Sequence, residues 1–412
     1  MIGRFQNRQG FAQVELGLGL GMECKNAIGA VVVGGDYQGL GIVRSLGRRQ
    51  IPVCVIDDEK SIARFSRYTT HAIAVPSLRE EQQSVDAILS VGHRLGLNGW
   101  VLYPTRDETV AALAHHRSLL TDFFRVPTPR WETVKWAWDK RHTYQLASEL
   151  DIATPRTWYA SCLKDLEQIT LDPPFAVKPS VKEHFFYATK AKAWRANNHA
   201  ELRTLFLRAQ EVVGPGEVMI QDVIPGDGRQ QFAYCAFFKA GRAIGSMVVR
   251  RSRQHPPEFG RASTFVETID LPILEELSER FLRAIDYYGL VELEFKLDPR
   301  DGQHRLLDFN ARTWGYHSLG CAAGVDFPYL LFADQAGKPV RSCRGQAGVS
   351  WIRLLTDVPT AVLEIVGGRQ DWRDYLRSLG RFHVEAVLSL EDPFPGLVEF
   401  ALFPYLCVKR GF

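Results

Sequence analysis

The segment that most constrains the fold is a pair of short strands joined by a tight connection. Residues 290–298 (LVELEFKLD) and 304–310 (HRLLDFN) alternate apolar and polar side chains, and the connection 299–303 (PRDGQ) contains Asp-Gly. Alternation with a period of two indicates a β-strand with one buried face, and Asp-Gly in a short connection indicates a hairpin. The sequence therefore predicts an antiparallel ribbon over 290–310.

One face of this ribbon gathers acidic and amide side chains. If the turn is centred on Asp301, Glu294 lies opposite Asp308 and Glu292 lies opposite Asn310, all on the same side. Two carboxylates directly opposite each other on a sheet repel, so a positive group between them is expected. The pattern predicts a charged site rather than an ordinary sheet surface, although a solvated acidic face is the alternative interpretation.

A divalent metal ion suits this face. Glu294, Asp308 and Asn310 offer oxygen ligands, which Mg²⁺ prefers, and Mn²⁺ is a possible substitute. Arg312 follows closely and would place a guanidinium beside the same point, where it can bind a phosphate through two hydrogen bonds. Leu307 is expected on the opposite, apolar face of the ribbon.

Two lysines stand in unusual contexts. Lys178 lies inside the apolar strand 175–179 (FAVKP), and lysine is rarely buried without a partner. Lys140 follows Asp139, which could cap a helix over 140–150. An ammonium group on a flexible stem suits a nucleotide phosphate, although each lysine is also compatible with a surface position.

The composition narrows the class of protein. Hydrophobic residues make up 46% and charged residues 24% of the 412 positions, as in soluble globular proteins. A net charge of +3 gives no reason to expect a nucleic-acid or membrane partner. The seven cysteines include no C-x-x-C pair, which favours a reducing, cytoplasmic compartment. No apolar run reaches about 18 residues, so no membrane span is expected.

The beginning of the chain predicts an open parallel α/β sheet. Apolar runs at 27–35, 52–57 and 100–104 alternate with helical patterns, after a leader (1–27) that we expect to be disordered. The glycine-rich loop 34–41 leaves a dinucleotide site open as an alternative, but its spacing is not G-x-G-x-x-G. A structural turn or a substrate-facing loop is the other interpretation.

The pattern changes further along the chain. From about 175 to 310 the predicted strands are antiparallel. We therefore expect an N-terminal domain, a central domain in two subdomains, and a small C-terminal domain or extension. Their expected limits are 28–125, 126–340 (126–222 and 223–340) and 341–412.

Six short motifs occur in an order typical of one superfamily. They are DK (139–140), A-x-E-L-x-I-x-x-P (147–155), F-x-V-K-P (175–179), I-Q-D-x-I-P-G (220–226), E-F-K (294–296) and D-F-N-x-R (308–312). Together they resemble the ATP-grasp superfamily, and N-A-R-x-W (310–314) resembles carboxylate-amine ligases of the D-aspartate ligase type. The resemblance implies an α/β and α+β fold in which two α+β subdomains clamp ATP behind an N-terminal α/β domain.

The resemblance also implies a role for each matching residue. Lys140 and Lys178, with Lys192, would contact the phosphates of ATP. Gln221, Asp222 and Ile224 would bind adenine, and Asp227 would bind the ribose. Glu294, Asp308 and Asn310 would hold Mg²⁺, while Arg312 and Arg250 would steady an acyl phosphate. Two features depart from the family pattern: the flap segment 180–189 has no glycine, and aspartate replaces the commoner glutamate at 222 and 308.

The activity implied is ATP-dependent joining of a small carboxylate to an amine through an acyl phosphate, with release of ADP and phosphate. Two alternatives remain open. One is a carboxylate-thiol ligase or phosphotransferase on the same scaffold, and the other is a nucleotide-binding regulatory protein without turnover. The sequence also leaves the substrates and the oligomeric state open, with a dimer as one option.

Overall fold

The computed structural model describes residues 28–410, with the side chains of 182–184 and 407–410 left undescribed. The predicted leader (1–27) lies outside the described residues. Across residues 28–410, no helix is both long enough and apolar enough to cross a membrane.

The first sheet is parallel, as predicted. Its elements are β1 (Ala30–Val33), α1 (Tyr37–Gly47), β2 (Val53–Asp57), β3 (His71–Ala74), α2 (Glu81–Leu95), β4 (Val101–Pro104), α3 (Asp107–His115) and α4 (Arg117–Thr121). The strands are ordered β3-β2-β1-β4, and every pair is parallel. All four residues of β1 are fully buried, which is why this strand reads as a continuous apolar run.

The second sheet is antiparallel and carries the predicted lysine strand. Its region comprises α5 (Trp131–Trp138), α6 (Lys140–Glu149), β5 (Thr157–Tyr159), β6 (Phe175–Pro179), α7 (Lys182–Thr189), β7 (Trp194–Ala196), α8 (His199–Val213) and β8 (Val218–Asp222). The order is β5-β8-β6-β7. Asp139 caps α6 as predicted, because its side chain accepts a hydrogen bond from the backbone N–H of Arg141 at 2.9 Å.

The central sheet contains the predicted hairpin. Its first part comprises β9 (Gln231–Lys239), β10 (Arg242–His255), β11 (Ala262–Ile269), α9 (Pro272–Ala284), β12 (Gly289–Leu297), β13 (His304–Asn310), α10 (Ser318–Ala322) and α11 (Phe327–Gln335). These strands are ordered β13-β12-β9-β10-β11 and pair antiparallel, so the hairpin forms one edge of the sheet.

The last segment of the chain extends the same sheet. It comprises β14 (Cys343–Arg344), β15 (Ser350–Ile352), α12 (Leu354–Val366), α13 (Trp372–Leu379), β16 (Val384–Glu385) and α14 (Phe394–Arg410). β15 pairs with β11, β16 follows β15, and β14 lies against β10. The segment 341–412 is therefore joined to the central sheet through backbone hydrogen bonds over its described part.

The glycine-rich loop has a structural explanation. Helix α1 begins after Asp36, whose side chain caps it, and it packs against the segment that follows β13. A β-carbon on Gly41 would lie 2.7 Å from the ring of His317, so only glycine permits this close approach. Asp57 does not face a ribose site, because it accepts a hydrogen bond from the Gly35 N–H at 2.6 Å and pairs with Arg106. The contacts favour a packing role for the loop over a dinucleotide site.

Candidate active site

A cavity of about 940 Å³ lies between the second sheet and the central sheet. Strands β6, β8, β10, β12 and β13 contribute to its wall. The predicted site residues that line it are Lys140, Lys178, Lys192, Gln221, Asp222, Ile224, Asp227, Glu294 and Asp308. Residues predicted from segments far apart in the sequence therefore meet around one space.

The two facing carboxylates have the predicted register. Glu294 lies opposite Asp308, and Glu292 lies opposite Asn310. Asp308 is buried, and the Glu294 side chain is only 14% exposed. A solvated acidic face is thereby excluded for this pair.

The turn itself differs from the prediction. Asp298 and Gln303 close it through a backbone hydrogen bond of 2.8 Å, so it is not centred on Asp301. A β-bulge between Glu294 and Phe295 compensates, because Phe295 pairs with Leu306 and one extra residue, Leu307, is left over on β13. The prediction that Leu307 faces the apolar side was wrong: the bulge turns it into the cavity beside Asp308.

A cation contacts each of the two facing carboxylates. The Lys140 Nζ donates to Asp308 Oδ1, and the Arg251 Nη1 donates to Glu294 Oε2. Lys140, predicted for a phosphate, therefore lies at the cavity wall in an ion pair with a predicted metal ligand. Each of the two facing carboxylates is thus partly neutralised by a cation of its own.

The structure corrects the prediction for Arg250. Successive side chains of β10 point to opposite faces of the sheet. Arg250 lies on the outer face, where its Nε donates to its cross-strand neighbour Glu267 at 2.8 Å. Arg251 lies on the inner face, is buried and lines the cavity, so it is the arginine of this strand that reaches the site.

Glu292 forms a buried acidic group behind the facing pair. The Tyr316 hydroxyl donates to its Oε1, and the Asn310 Nδ2 donates to its Oε2 at 3.0 Å. Burial, together with the charge of Glu294, raises the pKa of Glu292 to about 7, although Arg251 opposes the shift. Asn310 also donates to Glu294 at 3.2 Å and so links the two glutamates.

The second lysine has a different environment. The Lys178 Nζ donates to the Tyr144 hydroxyl at 3.2 Å. Burial lowers the pKa of Lys178 to about 8, despite the charges of Asp308 and Glu294, which raise it. Lys192 is partly buried and lines the same cavity.

The predicted nucleotide-reading residues lie at the end of β8. The Gln221 Nε2 donates to Thr157 Oγ1 at 2.7 Å, and Asp222 Oδ2 accepts from Arg300 at 2.8 Å. The Ile224 carbonyl accepts from the Lys296 Nζ at 2.8 Å, which fixes the backbone that follows the strand. Asp227, by contrast, is exposed at the rim and binds Arg229.

Arg312 is bound by the N-terminal domain. Its Nε and Nη2 donate to the two carboxylate oxygens of Asp107 at 2.8 and 2.9 Å. Burial alone would lower the pKa of Arg312, but the charge and hydrogen bonds of Asp107 more than offset this and raise it. The nearby charges of Glu292 and Asp308 also raise the pKa of Arg312.

The glycine-free segment 180–189 forms a helix. Helix α7 (Lys182–Thr189) begins after a two-residue connection from β6, and its residue Tyr187 donates a hydrogen bond to Glu108 of α3. The Arg79 guanidinium lies over the Tyr187 ring, 4.4 Å from its centroid. The segment between β6 and β7 is therefore attached to the N-terminal domain.

The carboxylate pair is chemically suited to Mg²⁺. Glu294 and Asp308 offer hard oxygen donors at the wall of the cavity, and the buried Asn310 lies beside them, where its Nδ2 donates to Glu294. Among the residues that the structure describes, no group of three or more His, Cys, Asp or Glu side chains is arranged to hold a metal. Two carboxylates and one amide are a ligand set typical of Mg²⁺ ions that are shared with substrate phosphates and water.

Two features of the site have no signal in the sequence. Leu307 reaches the cavity only through the bulge, which the alternation of the hairpin does not predict. Asp107 meets Arg312, which lies 205 residues further along the chain, and no local pattern indicates this pairing.

Comparisons with known proteins agree with this architecture. No family model matches the chain. The D-aspartate ligase of Enterococcus faecium (strain Aus0004) is 21% identical over 351 residues, which cover 81% of this chain and 83% of that protein. The similarity thus extends over most of both chains.

Solved structures show the same fold. The L-amino acid ligase from Bacillus licheniformis superposes with a TM-score of 0.59 and 15% identity, covering 76% of this chain and 75% of that one. The biotin carboxylase domain of the Hydrogenobacter thermophilus 2-oxoglutarate carboxylase, solved with MgADP, gives 0.63 and 15%, covering 79% and 74%. These neighbours are ATP-grasp proteins. The chain has the ATP-grasp fold, and its predicted resemblance to the ATP-grasp carboxylate-amine ligases is confirmed.

Proposed function

We propose that this protein is an ATP-dependent carboxylate-amine ligase that forms an amide or peptide bond and releases ADP and phosphate. The observation that carries the proposal is the meeting of two facing carboxylates, two lysines and a buried arginine around one cavity of an ATP-grasp fold. The similarity to a D-aspartate ligase along most of the chain supports the same class of reaction.

The cavity offers a complementary surface for ATP. Lys140 and Lys178 would bind the phosphates, with Lys192 as a further contact. Gln221, Asp222 and Ile224 would bind adenine, and Asp227 at the rim would reach the ribose. The bond between Lys296 and the Ile224 carbonyl supports this assignment, because it holds the adenine-reading backbone in place.

Glu294, Asp308 and Asn310 would hold Mg²⁺, or Mn²⁺ in its place. The ion would neutralise phosphate charge during phosphoryl transfer. Lys140 and Arg251 contact these carboxylates in the structure. Both cations are therefore within reach of the phosphate that the same ion would bind.

A free carboxylate does not react with an amine at neutral pH, because hydroxide is a poor leaving group. Transfer of the terminal phosphoryl group of ATP to the substrate carboxylate gives an acyl phosphate and ADP. The amine then attacks the acyl carbon, the C–O bond to phosphate breaks, and the amine loses a proton. Arg312 and Arg251 would bind the oxygens on which negative charge develops.

The substrates are a small carboxylic acid and an amine. Because the curated relative is named a D-aspartate ligase, D-aspartate is the first acid to test. One alternative function has a specific observation behind it: helix α7 stands where the resemblance implies a glycine-containing flap, an arrangement compatible with a nucleotide-binding protein without turnover.

The first experiment measures ADP release over a panel of amino acids, organic acids and thiols offered singly and in pairs. Release that requires both an acid and an amine is expected. Release with an acid and a thiol would support the thiol-ligase alternative. Binding of Mg-ATP without release under any pairing would overturn the ligase and support the regulatory protein.

The second experiment uses the productive pair with an ¹⁸O-labelled carboxylate. One labelled oxygen is expected in the released phosphate, because the carboxylate oxygen leaves with the phosphoryl group. Label in AMP would indicate adenylation instead. Amide product with unlabelled phosphate would exclude an acyl phosphate.

A further inference from the structure

The ion pair between Asp107 and Arg312 joins the N-terminal domain to the central sheet close to Glu292 and Asp308, although Arg312 is not among the described residues that line the cavity. Asp107 is the first residue of α3 in the N-terminal domain, and Arg312 follows β13 of the central sheet. Both side chains are mostly buried, at 18% and 15% exposure. Two parallel hydrogen bonds at 2.8 and 2.9 Å fix the plane of the guanidinium as well as its position.

This pairing determines which edge of Arg312 is available. A guanidinium carries five N–H donors. Asp107 takes the Nε–H and one Nη2–H, and the Thr313 carbonyl takes one Nη1–H at 2.9 Å. Among the described residues these bonds leave one N–H on each Nη atom, so the terminal edge of the guanidinium is the part that can bind a substrate oxygen.

We propose that Asp107 is a positioning residue for the ligase reaction: it orients Arg312 so that the terminal edge of its guanidinium meets the acyl phosphate. The inference rests on the proposed function, since it assumes that Arg312 binds charged oxygens in the reaction. It adds a contribution of the N-terminal domain to the chemistry of the central domain.

The surroundings of Asp107 suit this role. Helix α3 follows β4 of the parallel sheet after a two-residue connection, so its first turn is held by a buried strand. The neighbouring Glu108 accepts the hydrogen bond from Tyr187 of α7. Two successive acids of one helical turn therefore contact the active-site arginine and the segment that follows the lysine strand.

The experiment compares Asp107→Asn, Asp107→Glu and Arg312→Ala with the productive substrate pair. Asparagine keeps the size of the side chain but loses the charge and one acceptor. We expect kcat to fall about tenfold to a hundredfold in Asp107→Asn, as for a misplaced catalytic group, with Mg-ATP affinity within twofold of the wild type. Asp107→Glu should recover part of kcat, because it restores the charge.

Asp58→Asn is the matched control. Asp58 also forms an ion pair at this edge of the N-terminal domain, with Arg106 at 2.7 Å, and its described hydrogen bonds go to Arg106 and Leu78 of the same domain. It should keep wild-type kcat. Unchanged kcat in Asp107→Asn while Arg312→Ala is inactive would overturn this inference and leave the proposed function standing.

Two other outcomes are equally informative. Full activity in Arg312→Ala would refute the role of Arg312 itself, and with it the inference. A loss of melting temperature and Mg-ATP affinity in Asp107→Asn that accounts for the loss of kcat would make Asp107 a structural residue and overturn the positioning role.

Discussion

At the scale of single residues, the two lysines of the cavity differ although their side chains are identical. The ammonium of Lys140 already contacts the charge of Asp308, whereas Lys178 has only the Tyr144 hydroxyl as a hydrogen-bond partner among the contacts described above. Burial accordingly lowers the pKa of Lys178 to about 8. Sequence reasoning identified both lysines, but their different electrostatic states depend on neighbours distant in the chain.

The pKa of Lys178 predicts proton uptake on nucleotide binding. The protonated form binds phosphate, and a pKa near 8 means that it is lost as the pH rises above this value, so Mg-ATP affinity should fall there. Phosphate charge should return the pKa towards its usual value, which requires uptake of roughly 0.7 proton at pH 8.5. Calorimetry in two buffers of different ionisation enthalpy measures this number.

Lys178→Arg is the informative variant, because arginine stays charged at this pH. It should bind Mg-ATP without proton uptake, whereas Lys192→Ala should retain the uptake. Equal uptake in wild type and Lys178→Arg would assign the proton to another group.

At the scale of elements, the hairpin shows what the sequence can predict. Period-two alternation specified which side chains share a face, and Glu294 does lie opposite Asp308. The sequence could not predict that α7 would form in 180–189, because a helix of eight residues carries little signal against its surroundings. The assignment of Arg250 to the site was wrong, because the motif alone does not show which face of β10 each arginine occupies.

The ion pair of Asp308 alters the expected effect of Asp308→Asn. From the sequence alone, removal of one of two facing carboxylates should relieve repulsion of about 0.2–1 kcal/mol. Since Lys140 binds Asp308 in a mostly buried pair, the variant should instead lose about 1–3 kcal/mol of stability without ligand, and it should also lose ADP formation. Melting temperature and ADP release measure the two effects.

Asp301→Asn is the control from the same hairpin. Asp301 pairs with Arg305 at the turn and its side chain is 37% exposed, so its loss should change stability by less than about 1 kcal/mol and leave activity intact. Full ADP formation by Asp308→Asn would contradict the metal assignment.

At the scale of the whole molecule, the C-terminal segment contacts both the central sheet and the N-terminal domain. No pattern assigned 341–412, because its strands span only two or three residues, and β14 and β15 pair with the distant strands β10 and β11. A buried contact then joins this segment to the N-terminal domain. Asp392 is fully buried and accepts from Arg44 at 3.0 Å and from the Ser66 hydroxyl at 2.7 Å. The segment is thus part of the folded core.

Asp392→Ala should therefore destabilise the whole protein. It would leave the Arg44 guanidinium buried without its partner charge, which typically costs about 3–5 kcal/mol. The adjacent Glu391 provides a matched control, because its pair with Arg48 has the same length of 3.0 Å but is exposed. Glu391→Ala should cost less than about 1 kcal/mol. Urea unfolding measures both, and equal effects would refute the structural role of Asp392.

The bulge at Leu307 has a consequence for how the length of this hairpin can vary. The extra residue lies between the turn and the pairing of Glu294 with Asp308. If one residue is inserted or deleted between the turn and this pair, the bulge can form or disappear to absorb the change in length. Glu294 and Asp308 then stay opposite each other. An insertion or deletion between Asp308 and Asn310 is not absorbed by this bulge. It would turn one of these two side chains to the other face of the strand. The hairpin therefore has two parts: the part near the turn tolerates changes in length, and the part that carries Asp308 and Asn310 does not.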